Sequence, residues 1–317
     1  MTAKVFIDGE HGTTGLQIQA RLSPRNDITL ISLPHAERRN AEARRRLLNE
    51  ADLVILCLPD DAAREAVAMI DNPDVKVIDA STAHRTTEGW VFGMPEYDAG
   101  QRARIADATR VANPGCYAIA SIALLHPLVA AGVLPSDWPV TINAVSGYSG
   151  GGKSLIAAFE DPGSDGYTES PFHVYGLGLA HKHVPEIQRW SGLDNPPLFV
   201  PSVGRFSQGM IVQVPLHLWS LPPKPLVAEV RDALAAHYAT AQFVTVASSQ
   251  DVAALERLDP EVLNGTNELR LHVFGNEDRG QVVLAGLLDN LGKGASGSAV
   301  QNLNIMLGLD EAEGLAA

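Results

Sequence analysis

The sequence is poor in cysteine and in positive charge, and it contains no long hydrophobic run. Two cysteines among 317 residues exclude a disulfide framework of the kind that holds small secreted domains together. Lys and Arg number 24 against 37 Asp and Glu, which gives a formal net charge of −13. That balance argues against non-specific nucleic-acid binding, which requires a basic surface. No apolar run approaches the roughly twenty residues that cross a bilayer, so we expect no membrane partner.

What is present is the composition of an ordinary globular protein, 45% hydrophobic and 19% charged. A chain of this length is expected to form two domains. The first residues lack the apolar region of a signal peptide, and the two cysteines lie in unlike surroundings. We therefore expect a protein of the reducing cytoplasm.

The first part of the chain alternates apolar strands with helices. Near-continuous aliphatic runs predict strands at residues 4–8, 28–33, 53–58 and 75–79. Helical patterns occupy residues 16–22, 36–50 and 60–70. This alternation is typical of an α/β protein with a Rossmann-type, doubly wound parallel sheet.

The pattern changes after Cys116 to strands with period-two alternation. These strands are predicted at residues 140–145, 198–203, 210–217, 243–247, 268–274 and 281–288. Only one convincing helix, residues 225–238, interrupts them, which indicates a second, α+β domain with a mixed sheet. Such a sheet could pair across a two-fold axis, so a homo-oligomer, dimer or tetramer, is expected. A final helical pattern at residues 297–309 is predicted to pack back on the first domain.

Cys116 follows Asn113-Pro114-Gly115 and opens a long apolar helix. A thiol at a helix N-terminus faces unpaired backbone N–H groups and the positive end of the helix dipole. Both favour the thiolate, which is the nucleophilic form. Cys57 lies inside the hydrophobic run 53–58 and is predicted to be buried.

A glycine-rich turn follows the first predicted strand. Its spacing, G-x-x-G-x-x-G, is one residue longer than the G-x-G-x-x-G that binds dinucleotides, and both flanking elements are present. We prefer this interpretation to an ordinary strand–helix turn. The predicted cofactor contacts of the turn are Gly9, Gly12, Thr13, Thr14 and Gly15.

The end of the second predicted strand carries no acid, where NAD-binding proteins usually place one against the ribose 2′-hydroxyl. Ser32 stands there, and Arg38 and Arg39 follow. Nearby guanidinium groups could accept a 2′-phosphate, so the sequence predicts NADP(H), with Arg38 as a contact. That these arginines only solvate a helix face remains an open alternative.

A second glycine-rich loop, residues 147–154, fits G-x-x-x-x-G-K-[ST]. Its Ser149, Gly150 and Lys153 are candidate substrate contacts, because glycine amides and a lysine form a nest for phosphate. A P-loop ATPase would also need a Mg²⁺-holding Asp after a later strand. We find no such strand, and a phosphate site also suits an enzyme with a phosphorylated substrate.

His181, His183 and Glu186 form a candidate acid–base group. In extended backbone the two histidines would point to the same side, and the acid could orient an imidazole. Structural histidines are the alternative; no further Cys/His cluster has metal-ligand spacing, so no metal is predicted. Arg205 is a candidate clamp for a substrate carboxylate, or else an ordinary surface arginine.

Together these segments resemble the shorter N-acetyl-gamma-glutamyl-phosphate reductases. This family is related to aspartate-semialdehyde dehydrogenases and more distantly to glyceraldehyde-3-phosphate dehydrogenases. The matching stretches follow the family's order along nearly the whole chain: residues 9–15, 79–85, 113–117, 146–153, 181–186 and 289–304.

The resemblance implies NADPH-dependent reduction of N-acetyl-L-glutamyl 5-phosphate, a small-molecule acyl phosphate, to the 5-semialdehyde in arginine biosynthesis. It implies that Cys116 forms a thioester, that Ser81 and Asn302 join the cofactor site, and that His181, with His183 and Glu186, moves protons. Residues 1–115 and 290–317 would form the NADP-binding domain, and residues 116–289 the catalytic and oligomerisation domain. A sister reductase of another acyl phosphate, a P-loop ATPase and a non-catalytic dinucleotide-binding protein remain as alternatives.

Overall fold

The computed structural model describes residues 2–38 and 40–316, which form two compact units. Unit 1 contains the described residues up to Pro95, together with Ala99–Gly115 and Ala295–Ala316. Unit 2 contains Glu96–Asp98 and Cys116–Gly294. The chain thus enters unit 2 at Cys116 and returns to unit 1 at Ala295, whereas the sequence placed the return at residue 290.

Unit 1 is built on a sheet of six strands that are all parallel, in the order β2-β1-β3-β4-β6-β5. The strands are β1 (Ala3–Asp8), β2 (Ile28–Ile31), β3 (Leu53–Leu56), β4 (Lys76–Asp79), β5 (Val91–Phe92) and β6 (Arg110–Ala112). The helices between them are α1 (Thr13–Leu22), α2 (Ala41–Glu50), α3 (Asp60–Ala68) and α4 (Gln101–Asp107). The predicted doubly wound parallel sheet is confirmed.

The strand order reverses between β1 and β3, which is where open parallel sheets bind their ligands. The turn Gly9–Gly15 follows β1, and Cys57 follows β3 on the same edge. Helix α2 begins later than predicted, because Asn40 caps it by accepting from the amides of Glu42 and Ala43. A short 3₁₀ turn, His35–Glu37, occupies the segment before that cap.

Unit 2 contains a sheet of seven strands in the order β11-β12-β13-β10-β7-β9-β8. The strands are β7 (Thr141–Gly147), β8 (Phe172–Val174), β9 (Leu198–Gly204), β10 (Met210–His217), β11 (Val244–Val246), β12 (Leu269–Asn276) and β13 (Gln281–Leu288). The pairs β11–β12 and β7–β9 are parallel and the others are antiparallel, so the predicted mixed sheet is confirmed.

Five helices accompany this sheet, of which the sequence indicated the one that Cys116 opens and the one at residues 225–238. They are α5 (Cys116–Ala130), α6 (Gly152–Glu160), α7 (Val184–Ser191), α8 (Val227–His237) and α9 (Ser249–Ala254). Helix α5 carries apolar residues on every side, and this suits its surroundings, since β10, β13, α7 and α8 all pack against it. Helices α7 and α9 are too short to show a clear hydrophobic period, which is why the sequence analysis underestimated the helical content.

The last helix, α10 (Gly297–Leu307), packs in unit 1. Its Ala299, Val300, Leu303 and Met306 join the core formed by residues of β1, α1 and β3. The predicted return of the C-terminal helix to the first domain is therefore confirmed. No helix in the described ranges 2–38 and 40–316 is long and apolar enough to span a bilayer.

A half-buried histidine in unit 2 links stability to pH. His126 on α5 stacks on Tyr97 with ring centroids 4.0 Å apart and meets His237 edge-on at 5.7 Å. Burial, together with the neighbouring His237, lowers the pKa of His126 to about 4, and Asp98 opposes the shift. The unfolded chain therefore binds this proton more readily, so the stabilisation is complete above about pH 6.5 and is lost as the pH falls towards 4.

We expect the melting temperature to fall between pH 6.5 and pH 4, and His126→Gln to weaken that dependence. Thermal unfolding followed by circular dichroism at a series of pH values measures it. His217→Gln is the matched control, because His217 is exposed on β10 and should leave the slope unchanged. An unaltered slope in His126→Gln would show that another group is responsible.

Candidate active site

Cys116 is the first residue of α5 and remains partly exposed. Its neighbour in unit 2 is Gly294, where an added Cβ would lie 2.8 Å from the Cys116 Cβ. Only glycine permits this approach. The structure therefore places the predicted nucleophile at a helix N-terminus, in close contact with the backbone of Gly294.

Cys57 is also partly exposed, whereas the sequence predicted a buried residue. Burial, together with the carboxylates of Asp79 and Asp8, raises the pKa of Cys57 to about 12. We therefore expect the Cys57 sulfur to remain a thiol at neutral pH. Neither cysteine belongs to a disulfide.

Two tyrosines connect the Cys116 end of α5 with the histidine segment. The Tyr175 hydroxyl donates to the Tyr117 hydroxyl (3.2 Å), which itself donates to the carbonyl of Ser202 (3.1 Å). The Tyr175 hydroxyl also lies 3.5 Å from Nε2 of His181. Burial raises the pKa of Tyr117 strongly and that of Tyr175 to about 12, so both hydroxyls stay protonated.

His181 and His183 are neighbours, although not for the reason that the sequence suggested. The segment is a turn, closed by the bond from Val184 N to the His181 carbonyl (3.0 Å), rather than extended backbone. The rings meet edge-on with centroids 4.8 Å apart. The backbone N–H of His183 donates to His181 Nδ1 (3.2 Å), so neutral His181 carries its proton on Nε2, an assignment made from the hydrogen-bond geometry.

Glu186 lies in the first turn of α7, which begins directly after His183. Its side chain is almost completely buried, with 1% exposure, and His183 is 5% exposed. A carboxylate in the first turn of a helix is favoured by the helix dipole. The buried acid lies close in sequence to both histidines.

The second glycine-rich loop is fixed in place by hydrogen bonds. Residues 148–151 form a 3₁₀ turn, after which α6 begins. The Ser149 hydroxyl is buried and accepts from Asn290 Nδ2 (3.1 Å), while Asn290 Oδ1 accepts from the amide of Gly209 (2.7 Å). Lys153 is exposed in the first turn of α6. Asn290 lies in a matching stretch that the sequence analysis named without assigning it a role.

Arg205 is exposed, and its guanidinium binds backbone carbonyl groups. Its guanidinium donates to the carbonyls of Thr168 (2.7 Å) and Phe159 (3.3 Å) and lies over the Phe159 ring. This geometry matches the alternative of an ordinary surface arginine. A role as a substrate clamp stays a prediction.

The turn after β1 in unit 1 has the shape that a bound pyrophosphate needs. Gly9 adopts φ +95°, and an added Cβ would lie 2.3 Å from the Cys57 carbonyl oxygen. At Gly15 a Cβ would lie 2.4 Å from the Gly9 carbonyl oxygen. Gly12 precedes α1 without a side-chain cap, so the amides of Thr13 and Thr14 stand at a helix N-terminus suited to an anion.

Ser81 follows β4 and belongs to a buried polar cluster. Its hydroxyl and its amide both donate to the Asp79 carboxylate (2.7 and 2.9 Å), and His84 Nδ1 lies 2.6 Å from the same carboxylate. His84 stacks on Trp90 with centroids 4.1 Å apart. The cluster fixes the carboxyl end of β4, which is the edge of the sheet where the glycine turn also lies.

Asn302 on α10 is held by its amide nitrogen, which donates to the carbonyl of Gly93 (2.8 Å) and to Asn113 Oδ1 (3.2 Å). Among the described residues its carbonyl oxygen is buried and has no hydrogen-bond partner. Asn113 donates to the Ala295 carbonyl (3.0 Å), and its own carbonyl accepts from Arg85 (3.1 Å). An oriented, unsatisfied acceptor fits an amide donor such as a nicotinamide carboxamide.

The end of β2 does meet an acid, although the acid comes from another segment. The Ser32 hydroxyl donates to the Glu10 carboxylate (3.0 Å), so Glu10 of the glycine turn reaches the position that lacked an acid in the sequence. The Glu10 side chain is 13% exposed. Arg38 is exposed at this end of the sheet, and Arg39 lies outside the described residues.

We expect iodoacetamide at pH 8 to modify Cys116 much faster than Cys57, because a pKa of about 12 leaves only about one Cys57 sulfur in ten thousand as thiolate. Peptide mapping by mass spectrometry measures the two rates. Cys116→Ser should remove the fast reaction and Cys57→Ala should retain it. Fast modification of Cys57 would contradict this account.

Comparison with known proteins agrees with this architecture. Residues 34–107 match the family model described as semialdehyde dehydrogenase, NAD binding domain, and residues 116–290 match semialdehyde dehydrogenase, dimerisation domain. Among solved structures, aspartate semialdehyde dehydrogenase II from Vibrio cholerae covers 97% of this chain and 98% of its own, with a TM-score of 0.69 and 14% identity. That degree of identity shows a shared fold.

Curated relatives are much more similar. N-acetyl-gamma-glutamyl-phosphate reductase 2 of Pseudomonas putida is 54% identical over 314 residues, 99% of each chain. The N-acetyl-gamma-glutamyl-phosphate reductase of Brucella ovis is 55% identical over 309 residues, 97% of this chain and all of the relative. The chain belongs to the N-acetyl-gamma-glutamyl-phosphate reductase family of semialdehyde dehydrogenases.

Proposed function

We propose that this chain reduces N-acetyl-L-glutamyl 5-phosphate to N-acetyl-L-glutamate 5-semialdehyde and phosphate with NADPH, in arginine biosynthesis. The observation that carries the proposal is Cys116 at the N-terminus of buried α5, in a chain that matches the named reductases from end to end. We further propose a cytoplasmic homo-oligomer, dimer or tetramer, since residues 116–290 match a dimerisation domain.

Cys116 supplies the nucleophile. Its thiolate attacks the acyl-phosphate carbonyl, a carbon–sulfur bond forms, and phosphate leaves with the electrons of the broken carbon–oxygen bond. NADPH, when bound, supplies the hydride that reduces the resulting thioester. The tetrahedral alkoxide then collapses, which releases the aldehyde and returns the electron pair to the Cys116 sulfur.

His181 suits the stabilisation of the oxyanion in this sequence. Its Nε2–H is a donor. The neighbouring Tyr175 hydroxyl, 3.5 Å from Nε2, donates in turn to the Tyr117 hydroxyl. We assign proton transfer to His181: its Nε2–H gives a proton to the alkoxide oxygen after hydride transfer and takes it back as the aldehyde leaves, while His183 and Glu186 hold the segment at the start of α7. Burial of His183 and Glu186 supports a positioning role for both.

The cofactor is held by unit 1 in this proposal. The amides of the turn Gly9–Gly15 bind the pyrophosphate, and the unsatisfied carbonyl oxygen of Asn302 accepts from the nicotinamide carboxamide. Ser81 supports the edge of the site through Asp79, and Arg38 provides positive charge for the 2′-phosphate. Domain roles follow the same division, with unit 1 as the NADP-binding domain and unit 2 as the catalytic and oligomerisation domain.

The acyl phosphate is bound by unit 2 in this proposal. Lys153 is an exposed cation in the first turn of α6, and the amide of Gly150 lies in the preceding turn. Ser149 holds the loop through Asn290. Arg205 contributes its positive charge from the connection between β9 and β10, where its guanidinium donates to the carbonyls of Thr168 and Phe159.

Cys116→Ser is expected to lower reductase turnover by at least about a thousandfold, because a serine hydroxyl is a far weaker nucleophile than a thiolate. NADPH binding, measured by fluorescence titration, should persist because the cofactor residues are unchanged. Turnover is measured as phosphate-dependent NADP⁺ reduction with N-acetylglutamate semialdehyde, in parallel with aspartate semialdehyde. Preference for the aspartyl substrate would replace the proposal with that of the sister reductase, and retained turnover in Cys116→Ser would remove the thioester mechanism.

Glu10→Gln is expected to lower the KM for NADPH relative to that for NADH. The Glu10 carboxylate at the end of β2 repels a 2′-phosphate, and removing one charge is worth on the order of 1 kcal/mol, roughly fivefold. Steady-state kinetics with both cofactors measures the ratio. Glu42→Gln, an exposed acid in the first turn of α2, is the control and should leave it unchanged. An unchanged ratio in Glu10→Gln would place the ribose away from β2.

A further inference from the structure

A buried ion pair in unit 2 lies outside the reaction described above. Lys293 is fully buried, and its ammonium donates to the Glu96 carboxylate at 2.8 Å, with 4% of the Glu96 side chain exposed. Burial lowers the pKa of Lys293, and Glu96 opposes the shift. Such pairs are retained less for stability than for fixing a geometry, because apolar replacements are often equally stable.

Glu96 is held in place by the contacts of the residue that follows it. It belongs to the segment Glu96–Asp98, whose flanking residues on both sides lie in unit 1. The next residue, Tyr97, stacks on His126 of α5 and meets Trp190 of α7 edge-on. The partner of Lys293 is therefore anchored to the same two helices that carry Cys116 and follow His183.

Lys293 sits in a π-helical turn, Gly292–Ser296, that leads from β13 into α10. This turn is packed on two sides. A Cβ at Gly292 would lie 2.3 Å from the Thr266 carbonyl oxygen, and one at Gly294 would lie 2.8 Å from the Cys116 Cβ. A displacement of Lys293 would therefore be transmitted directly to the contact between Gly294 and Cys116.

We propose that Lys293 and Glu96 are positioning residues that hold Gly292–Gly294, the part of the turn in unit 2, against Cys116 and so fix the direction of its thiol. The pair touches neither the reacting carbonyl nor the cofactor; it acts through Gly294. This inference rests on the proposed function in naming Cys116 as the nucleophile. Its geometry, however, depends only on contacts within unit 2.

The test is the double variant Lys293→Met with Glu96→Gln, which keeps the volumes of the side chains and removes both charges. We expect kcat to fall at least tenfold, the KM values for the acyl phosphate and NADPH to stay within twofold, and the iodoacetamide rate at Cys116 to change at least threefold. The melting temperature should remain close to that of the wild type. Arg270→Met with Glu268→Gln removes a pair of the same length from β12 and should change none of these quantities.

Gly294→Ala tests the same link without altering charge, and it decides the matter if the double variant does not fold. Its added methyl must displace the turn from Cys116, so the same loss of kcat and the same change in alkylation rate are expected. Wild-type kcat and alkylation in either folded variant would overturn the proposal. So would a loss of kcat with an unchanged alkylation rate. If the wild type is alkylated at Cys116 but reduces no acyl phosphate, the proposed function fails while the alkylation comparison still tests the positioning.

Discussion

The structure of unit 2 depends on the burial of helix α5. Strands β10 and β13 and helices α7 and α8 surround this helix, and its residues from Tyr117 to Leu125 are all buried. A helix packed on every side cannot slide along its axis, because each shift would open cavities on one face and create overlaps on another. The position of Cys116 is thus a consequence of core packing along the helix that follows it. At the N-terminal end of the helix, Gly294 lies close against Cys116.

The buried polar groups of unit 1 are held in place by hydrogen bonds to one another. In unit 1, the Asp79 carboxylate collects donors from Ser81 and His84, and Asn113 uses both ends of its amide. These bonds leave the carbonyl oxygen of Asn302 as an oriented acceptor with no partner among the described residues. Leaving such an atom buried costs about 1–3 kcal/mol unless a ligand satisfies it. An acceptor held this firmly by its own amide group is better explained as a binding contact than as an error of packing.

The sequence predicted what depends on neighbouring residues and missed what depends on distant ones. Long apolar patterns located α5, α10 and the central strands of both sheets, because periodicity is a local property. Glu10 could not be placed at β2 from the sequence, because it arrives from the turn after β1 through the pairing of parallel strands. Lys293 and Glu96 are 197 positions apart, and nothing in either segment indicates the other. His181 and His183 are neighbours, as predicted, but for a different reason. The sequence analysis expected an extended segment to align them, and the structure has a turn there.

The two cysteines show that access alone does not decide reactivity. Both are partly exposed, and both follow a segment of parallel sheet. Cys57 follows β3, which lies between β1 and β4, so burial and the terminal carboxylates of those strands, Asp79 and Asp8, oppose ionisation of its sulfur. Those same acids organise the edge of the sheet, Asp79 through Ser81 and His84 and Asp8 through its ion pair with Arg44 (2.8 Å). Cys116 instead begins a helix, where the local field has the opposite sign. The two cysteines thus differ in their surroundings: burial and two carboxylates disfavour the Cys57 thiolate, whereas the helix N-terminus favours that of Cys116, the proposed nucleophile.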